Sequence, residues 1–250
     1  MTEIIAIIMA GGLGKRMCSD LPKVIHKINN KPLLVYVIEE TKLINPKKIL
    51  IIVGKYHDII KKTLSEYMSL ENIHFIIQPE ALGTGHAIQC CRDELLQYQN
   101  TNIVILSGDT PLIKHTTIKD IFNHFQNVKI VTTIMENPFG YGRIIDKNGI
   151  FERITEEKDC NDNEKCIKKV NCGIYAFNSY LLCKYLPLLT NHNAQKEYYL
   201  TDIIELIKNG EKINIELFNI PKEQQIEIMG VNTKEQLEEL EQQITPIHHL

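Results

Sequence analysis

The 250-residue sequence contains no apolar run approaching the roughly 20 residues that a bilayer-spanning helix requires; Ile4 to Ala10 and Ile49 to Val53 are among the longest. It has no excess of basic charge. Twenty-eight Lys and Arg against 31 Asp and Glu leave a net charge of -3 and a pI near 6.3. That balance excludes the broad positive field of a nucleic-acid or anionic-membrane binder. The opening residues Met1-Thr2-Glu3-Ile4 carry neither the positive n-region of a secretion signal nor a myristoylation pattern, so a cytoplasmic location is expected. The seven cysteines are odd in number and scattered, which argues against a disulfide framework. Cys160, Cys166 and Cys172 recur at regular spacing, but no pair stands two to four residues apart as in structural zinc sites. There is no internal repeat, no low-complexity tract, and no Ser-His-Asp or Cys-His pattern in a convincing context. What is present is ordinary globular composition, 44% hydrophobic and 24% charged, in a length that suits one sizeable domain or two small ones.

The first half alternates short apolar runs with amphipathic stretches. Ile4 to Met9, Lys48 to Val53, Ile73 to Ile77 and Ile103 to Leu106 read as strands, the first two as strands buried on both faces. Between them the pattern predicts helices over Leu33 to Glu40, with Pro32 near the first turn, over Asp58 to Met68 and over Thr84 to Tyr98. The adjacent Cys90 and Cys91 fall in that third helix with diverging side chains. Such alternation implies right-handed βαβ crossovers and an α/β fold, Rossmann-like, with a mixed, mostly parallel sheet flanked by helices and ligand sites beyond the carboxyl ends of the strands. The second half is less regular. Lys129 to Met135, Gly142 to Asp146 and Lys169 to Phe177 read as strands, with turns at Asn137-Pro138 and Lys147-Asn148-Gly149. Glu157 to Lys169 reads as a polar loop, and Thr201 to Lys208 as a short helix closed by Asn209-Gly210. A last helix is expected to be capped by Thr233, with Gln236 completing a capping box and Leu237, Leu240 and Ile244 on one stripe. The expected organisation is one domain over residues 1–232 and a C-terminal helix and tail over 233–250.

Directly after the first strand comes Ala10-Gly11-Gly12-Leu13-Gly14-Lys15-Arg16-Met17, followed by Leu21-Pro22-Lys23. Glycines bring backbone N–H groups against anionic oxygens, and the cations neutralise them. Two familiar phosphate motifs fail here. A P-loop ending in Gly14-Lys15 needs Gly where Met9 stands and Ser or Thr where Arg16 stands; a dinucleotide fingerprint starting at Gly12 needs Gly at Met17. The loop is either a flexible strand-to-helix turn or a nucleotide-phosphate site, and three glycines with three cations favour the second.

The loop and its Pro-Lys sequel resemble the signature of the sugar nucleotidyltransferases. Asp20-Leu21-Pro22-Lys23-Val24-Ile25-His26 is similar in particular to the uridyltransferase domain of bacterial bifunctional N-acetylglucosamine-1-phosphate uridyltransferases. Further matches follow in order: Gln78-Pro79-Glu80-Ala81-Leu82-Gly83-Thr84-Gly85-His86-Ala87, Gly108-Asp109, Gly140-Tyr141-Gly142-Arg143, Glu156-Glu157-Lys158-Asp159, Asn171-Cys172-Gly173, Glu197-Tyr198-Tyr199-Leu200-Thr201-Asp202 and Gly230-Val231-Asn232. The resemblance implies attack by a sugar 1-phosphate on the α-phosphorus of UTP with release of pyrophosphate, N-acetylglucosamine 1-phosphate being the expected sugar substrate, with no nucleic-acid or membrane partner.

The resemblance also implies roles. Arg16 would contact the outer phosphates and Lys23 the α-phosphate, with Ala10, Gly11, Gly12, Gly14 and Lys15 lining the nucleotide. Gln78 and Gly83 would read the uracil, with Thr84 also nucleotide-binding, and Gly142, Glu156, Asn171, Tyr199 and Thr201 would contact the sugar. Asp109 and Asn232 would hold Mg²⁺. From residue types alone, Lys23 could be a solvated surface lysine, Asp109 and Asn232 could be helix or turn caps, and Tyr198 and Tyr199 could be core residues. Three positions depart from the resembled pattern: Cys172 stands for Thr, Lys196 for Gly and Ser107 for Tyr. The first two lie near the inferred sugar site and leave another sugar, such as glucose 1-phosphate, open. A binding-only regulatory relative would be expected to lose Arg16, Lys23 or Asp109, and all three are present. No hexapeptide repeat occurs, so no acetyl transfer is expected, and trimerisation through a β-helix cannot be assumed.

Overall fold

The structure, a computed structural model, describes residues 3–12, 14–17, 19–98 and 100–244, with Lys15 described in its backbone only. In chain order the strands and helices are β1 (Ile4–Met9), β2 (Lys27–Ile28), β3 (Lys31–Pro32), α1 (Leu33–Lys42), β4 (Lys48–Val53), α2 (His57–Ser65), β5 (Ile73–Ile77), α3 (Thr84–Gln89), α4 (Arg92–Leu95) and β6 (Asn102–Ser107). There follow α5 (His115–Ile121), β7 (Val128–Ile134), β8 (Arg143–Lys147), β9 (Ile150–Thr155), α6 (Asp162–Lys165), β10 (Lys169–Asn178), α7 (Ser179–Tyr185), α8 (Asp202–Glu211), β11 (Glu216–Asn219) and α9 (Lys234–Ile244).

The main sheet runs β11-β7-β10-β6-β1-β4-β5, with the β8–β9 hairpin branching from β10. Every strand of this path points the same way except β10, which is antiparallel to both β6 and β7. The expected mixed, mostly parallel sheet with flanking helices is therefore what forms.

Alternation of side chains along each strand divides the core into two layers. Ile5 and Ile7 of β1, with Leu50, Ile52, Ile103 and Ile105, pack against α7 and α8 through Leu182, Ile203, Ile204 and Ile207. Ala6 and Ile8, with Ile49, Ile51, Val104 and Leu106, pack against α1, α2 and α5 through Leu34, Ile38, Leu64 and Ile118. A strand buried on both faces must be apolar throughout, which is why β1 and β4 are unbroken runs. Each fully buried aliphatic side chain contributes about 1.5–3 kcal/mol by leaving water.

Four departures from the sequence reading have local causes. The helix expected over Thr84 to Tyr98 is two helices, because the backbone tightens at Cys91, whose N–H bonds to Ile88 O three residues back at 3.0 Å. Asn209-Gly210 does not close α8; the helix runs through both and ends at Lys212 in the left-handed region, φ 54°. Gly210 is small there because a β-carbon would lie 2.0 Å from the Tyr185 hydroxyl, which donates to Glu211 Oε1 at 2.9 Å. The polar segment after Glu157 holds the one-turn α6, opened by reciprocal bonds between Asn161 and Glu164 at its N-terminus. In the last capping box Gln236 N–H donates to Thr233 Oγ1 at 3.2 Å, but Gln236 Oε1 accepts from Asn232 N–H at 2.8 Å, one residue upstream of the expected partner. Leu240 of α9 packs with Met17, Ile28, Leu33 and Val231; residues 245–250 of the expected tail lie outside the described residues. Six cysteines are free among the described residues, and no helix among them is long and apolar enough to cross a membrane.

Candidate active site

The ends of β1, β4, β5 and β6 meet along one rim of the sheet, and reversed β10 brings its beginning to the same rim. There a cleft of about 520 Å³ is lined by Gly11, Gly12, Gly14, Lys23, Gln78, Ala81, Gly83, Thr84, Ser107, Asp109 and Glu197, among others. Lys23 opens a short 3-10 turn whose next residues, Val24 and Ile25, are buried and anchor it. Gly14, at φ 57°, folds the glycine loop so closely onto that turn that a β-carbon would sit 2.7 Å from Lys23 Cβ. No larger residue fits there without moving the lysine.

The Lys23 ammonium pairs with Asp109 Oδ2 and donates to Asn232 Oδ1 at 2.9 Å. The Lys23 and Asp109 side chains are only 14% and 12% exposed, so this is a sheltered ion pair. Ser107 Oγ donates to Asp109 Oδ1 at 2.6 Å, and the main-chain oxygen of Asp109 accepts from Val231 N–H at 2.9 Å, which draws the Gly230–Asn232 segment in from the far end of the chain. One carboxylate oxygen and one amide oxygen thus converge on a point already holding a cation. Hard oxygen donors of this kind, few in number, suit Mg²⁺, which keeps most of its shell for phosphate and water. Among the described residues no cluster of three or more His, Cys, Asp or Glu could hold a metal on its own.

Gln78 is nearly buried. Its Nε2 donates to Gly83 O at 3.1 Å and lies 3.2 Å from His86 Nδ1, while Oε1 would be 3.4 Å from a β-carbon on Gly11. Gly83 has φ 108° and would place a β-carbon 2.6 Å from Tyr198 O. That approach belongs to a backbone pairing in which Tyr198 N–H donates to Leu82 O at 2.8 Å, Gly85 N–H to Tyr198 O at 2.7 Å, and Leu200 N–H to Thr84 Oγ1 at 3.1 Å.

A second cluster gathers Gly142, Glu156, Asn171 and Thr201. Thr201 Oγ1 donates to Glu156 Oε1 at 2.9 Å, Asn171 N–H donates to Gly142 O at 2.9 Å, and a β-carbon on Gly142 would lie 3.4 Å from Glu156 Oε2. Burial raises the pKa of Glu156, partly offset by the Thr201 bond. The Asn171 amide is already held, Nδ2 donating to Tyr175 OH at 2.7 Å and Oδ1 accepting from Gly173 N–H at 3.1 Å. Tyr199 is buried, and its hydroxyl donates to Asp159 Oδ2 at 3.1 Å.

Residues 5–220 match the family model described as nucleotidyl transferase. The chain belongs to the nucleotidyl transferase family. It is 44% identical over 239 residues to a probable UDP-N-acetylglucosamine pyrophosphorylase of Acanthamoeba polyphaga mimivirus, covering 94% of this chain and 93% of that protein. It is 40% identical over 246 residues to the bifunctional protein GlmU of Thermoanaerobacter pseudethanolicus, covering 96% of this chain but 51% of that protein. The chain thus spans about half the length of that bifunctional relative. In fold it is similar to a UDP-glucose pyrophosphorylase solved with UDP-glucose, with a TM-score of 0.74, 17% identity, and coverage of 97% and 98% of the two chains.

In this nucleotidyl transferase not every residue singled out in the sequence reaches the cleft: Gly142, Glu156, Asn171, Tyr199 and Thr201 lie outside its lining, and Asn232 touches it only through Lys23. Ala10 is buried behind it, and Arg16 is exposed on the turn Lys15–Met17, outside the cleft lining. Leu13 and the Lys15 side chain lie outside the described residues. Conversely, sequence reasoning assigned no part to Glu197 and Ala81, which line the cleft, or to His86 beside Gln78; their only signal was membership of the quoted motifs. Arg143, 1% exposed, braces the Gly140–Gly142 turn by pairing with Glu157 Oε2 at 2.8 Å and donating to Tyr141 O. Of the departing residues, Cys172 is a buried thiol pushed up to about 12 by burial, and Lys196 occupies the left-handed region at φ 56°, where glycine is unstrained.

Proposed function

We propose that the protein transfers UMP from UTP to N-acetylglucosamine 1-phosphate, giving UDP-N-acetylglucosamine and pyrophosphate by in-line attack on the α-phosphorus. The observation that carries this reading is the convergence of Lys23, Asp109 and Asn232 in a cleft that also presents Gln78, with the Gly142–Glu156–Asn171–Thr201 cluster nearby. The similarity to the mimivirus relative supports the choice of sugar.

Two anions must meet, so repulsion has to be offset and the reacting groups held in line. Lys23 supplies a positive charge for the α-phosphate, and the backbone N–H groups of the glycine loop cradle the remaining phosphates. Arg16, exposed on the turn after the loop and outside the cleft lining, would have to reach in toward the outer phosphates. Mg²⁺, held by Asp109 and Asn232, would supply charge neutralisation for the triphosphate and the leaving pyrophosphate. With Nε2 of Gln78 committed to Gly83 O, Oε1 is the atom offered to a base. It can accept from the N3–H of uracil, whereas cytosine has no hydrogen on N3 and would leave the oxygen unpaired. Glu156 and Thr201 offer an acid and a hydroxyl to the sugar's hydroxyl and acetamido groups. We propose no acetyl transfer for these 250 residues, which contain no hexapeptide repeat.

A pyrophosphate-release assay with UTP, CTP, ATP and GTP against several sugar 1-phosphates tests the reading. Turnover is expected with UTP and N-acetylglucosamine 1-phosphate; its absence would overturn the proposal. Cys172 and Lys196 keep glucose 1-phosphate in the panel as the second reading, and faster turnover with it would reassign the sugar.

A further inference from the structure

The two oxygens of Asp109 have different partners: Oδ2 faces the Lys23 ammonium, and Oδ1 accepts from Ser107 Oγ at 2.6 Å. Ser107 is itself fixed. It is the last residue of β6, in register with Met9 of β1, and its carbonyl accepts both the Thr110 hydroxyl at 2.8 Å and the Thr110 N–H at 3.3 Å. Left alone, a carboxylate rotates broadly about its terminal torsion, exchanging its two oxygens. Tied to Ser107 through Oδ1, it turns Oδ2 toward the point it shares with Asn232 Oδ1. The resembled pattern has Tyr at this position. A tyrosine carries its hydroxyl at the far end of a ring, whereas serine carries it one carbon from the backbone, within reach of a carboxylate two residues on. A serine at this position can therefore make a bond that a tyrosine could not, and Ser107 also lines the cleft.

We infer that Ser107 is a positioning residue that sets the Asp109 carboxylate in the orientation needed to hold a divalent cation. The inference rests on the proposal that Asp109 is a ligand of that cation. Groups that orient a metal ligand in this way typically change metal affinity by about 10–100-fold when removed.

Titration of the whole protein with Mn²⁺ alone, followed by loss of the free-ion paramagnetic signal, tests it on wild type, Ser107→Ala, Ser107→Thr and Asp109→Ala. Ser107→Ala is expected to weaken Mn²⁺ binding by about 10-fold or more. Ser107→Thr, which keeps the hydroxyl on a residue suited to a strand end, is expected to restore wild-type binding. In the pyrophosphate assay Ser107→Ala should raise the half-saturating Mg²⁺ concentration while the KM for UTP stays unchanged. Wild-type titration by Ser107→Ala, with binding lost in Asp109→Ala, would overturn the role of Ser107 and leave that of Asp109 standing. Equal weakening in the Ala and Thr variants would assign the effect to shape and overturn the role of the hydroxyl. Wild-type binding by Asp109→Ala would remove Asp109 from the metal site, and both readings would fall together.

Discussion

The nucleotide side of the proposed site is made of loops that continue parallel strands: Gly11–Gly14 after β1, Gln78 after β5 and Asp109 after β6. The sugar side is made where antiparallel segments begin or end. Gly142 precedes β8, Glu156 follows β9, Asn171 lies near the start of β10, and Thr201 directly precedes α8. Their electrostatics differ as much as their topology. A cation, Lys23, sits at the centre of the first. The second is acidic and sheltered: Glu156 is raised by burial, and Asp202 is pushed up to about 6 by burial and by the charges of Glu156, Glu205 and Asp159. Phosphate chemistry needs positive charge that is held in place, whereas a neutral sugar ring needs acceptors, and this fold keeps the two on separate elements.

The largest expected effect lies on the nucleotide side. Asp109→Ala should lower turnover by about 10²–10³-fold with the fold intact, the scale seen when one preorganised charge-stabilising group is removed. Circular dichroism and the pyrophosphate assay check it, and near-normal turnover would remove the contrast between the two sides. Next come paired substitutions that should separate the substrates. Gln78→Ala should lower the preference for UTP over CTP by about 10-fold or more while the sugar KM holds. Thr201→Val should raise the KM for the sugar phosphate by about 5–10-fold while the UTP KM holds. If either variant moves both constants together, the sides are not independent.

A smaller effect is expected in stability. Because the folded-state value of Asp202 lies above its ordinary 3.8, the protonated acid is favoured in the folded protein. Its contribution is fully present below 3.8 and is lost as pH rises through about 6. Lowering pH from 7 to 5 should therefore relieve about 1 kcal/mol of strain in wild type that is missing in Asp202→Asn, measured as the difference between their urea midpoints at the two values. Smallest of all, Lys196→Gly should stabilise the protein by about 0.5 kcal/mol, since it removes a left-handed side chain at the cost of added freedom in the unfolded chain. A thermal melt is sufficient to detect it.

The same divide governs how much could be read from the residues. β1 and β4 were legible to the residue, because strands covered on both faces are continuous β-branched runs, and the edge strand β5 was legible from its short apolar run alone. β9 and β11 were missed. β9 mixes exposed Ile150 with buried Phe151 and half-buried Glu152 and Arg153, and β11 is a four-residue strand without a buried side chain. The end of α8 was misplaced because Gly210 looks like a stop signal, while its smallness answers to Tyr185, which only the packing reveals. In the proposed site, three glycines followed by cations were enough to suggest a phosphate-binding loop from their own chemistry. The meeting of Lys23 with Asn232 spans most of the chain; the resemblance joined Asn232 to Asp109, and only the structure brings Lys23 to both. Ser107 gave no signal of a role, since a lone serine after a strand is unremarkable until its hydroxyl is seen on Asp109.

The pairing of Leu82–Gly85 with Tyr198–Leu200 has a practical consequence for redesign. Along that wall the part proposed to meet the base and the part proposed to lead to the sugar share one strip of hydrogen-bonded main chain, like two pages sewn at a single seam. Side chains on either page can be exchanged separately, but a change that bends the backbone at Gly83 will pull on Tyr198, and so on Thr201 beyond it. On the proposed roles, base preferences introduced there should alter sugar affinity as well, and libraries aimed at one substrate need to be screened against both.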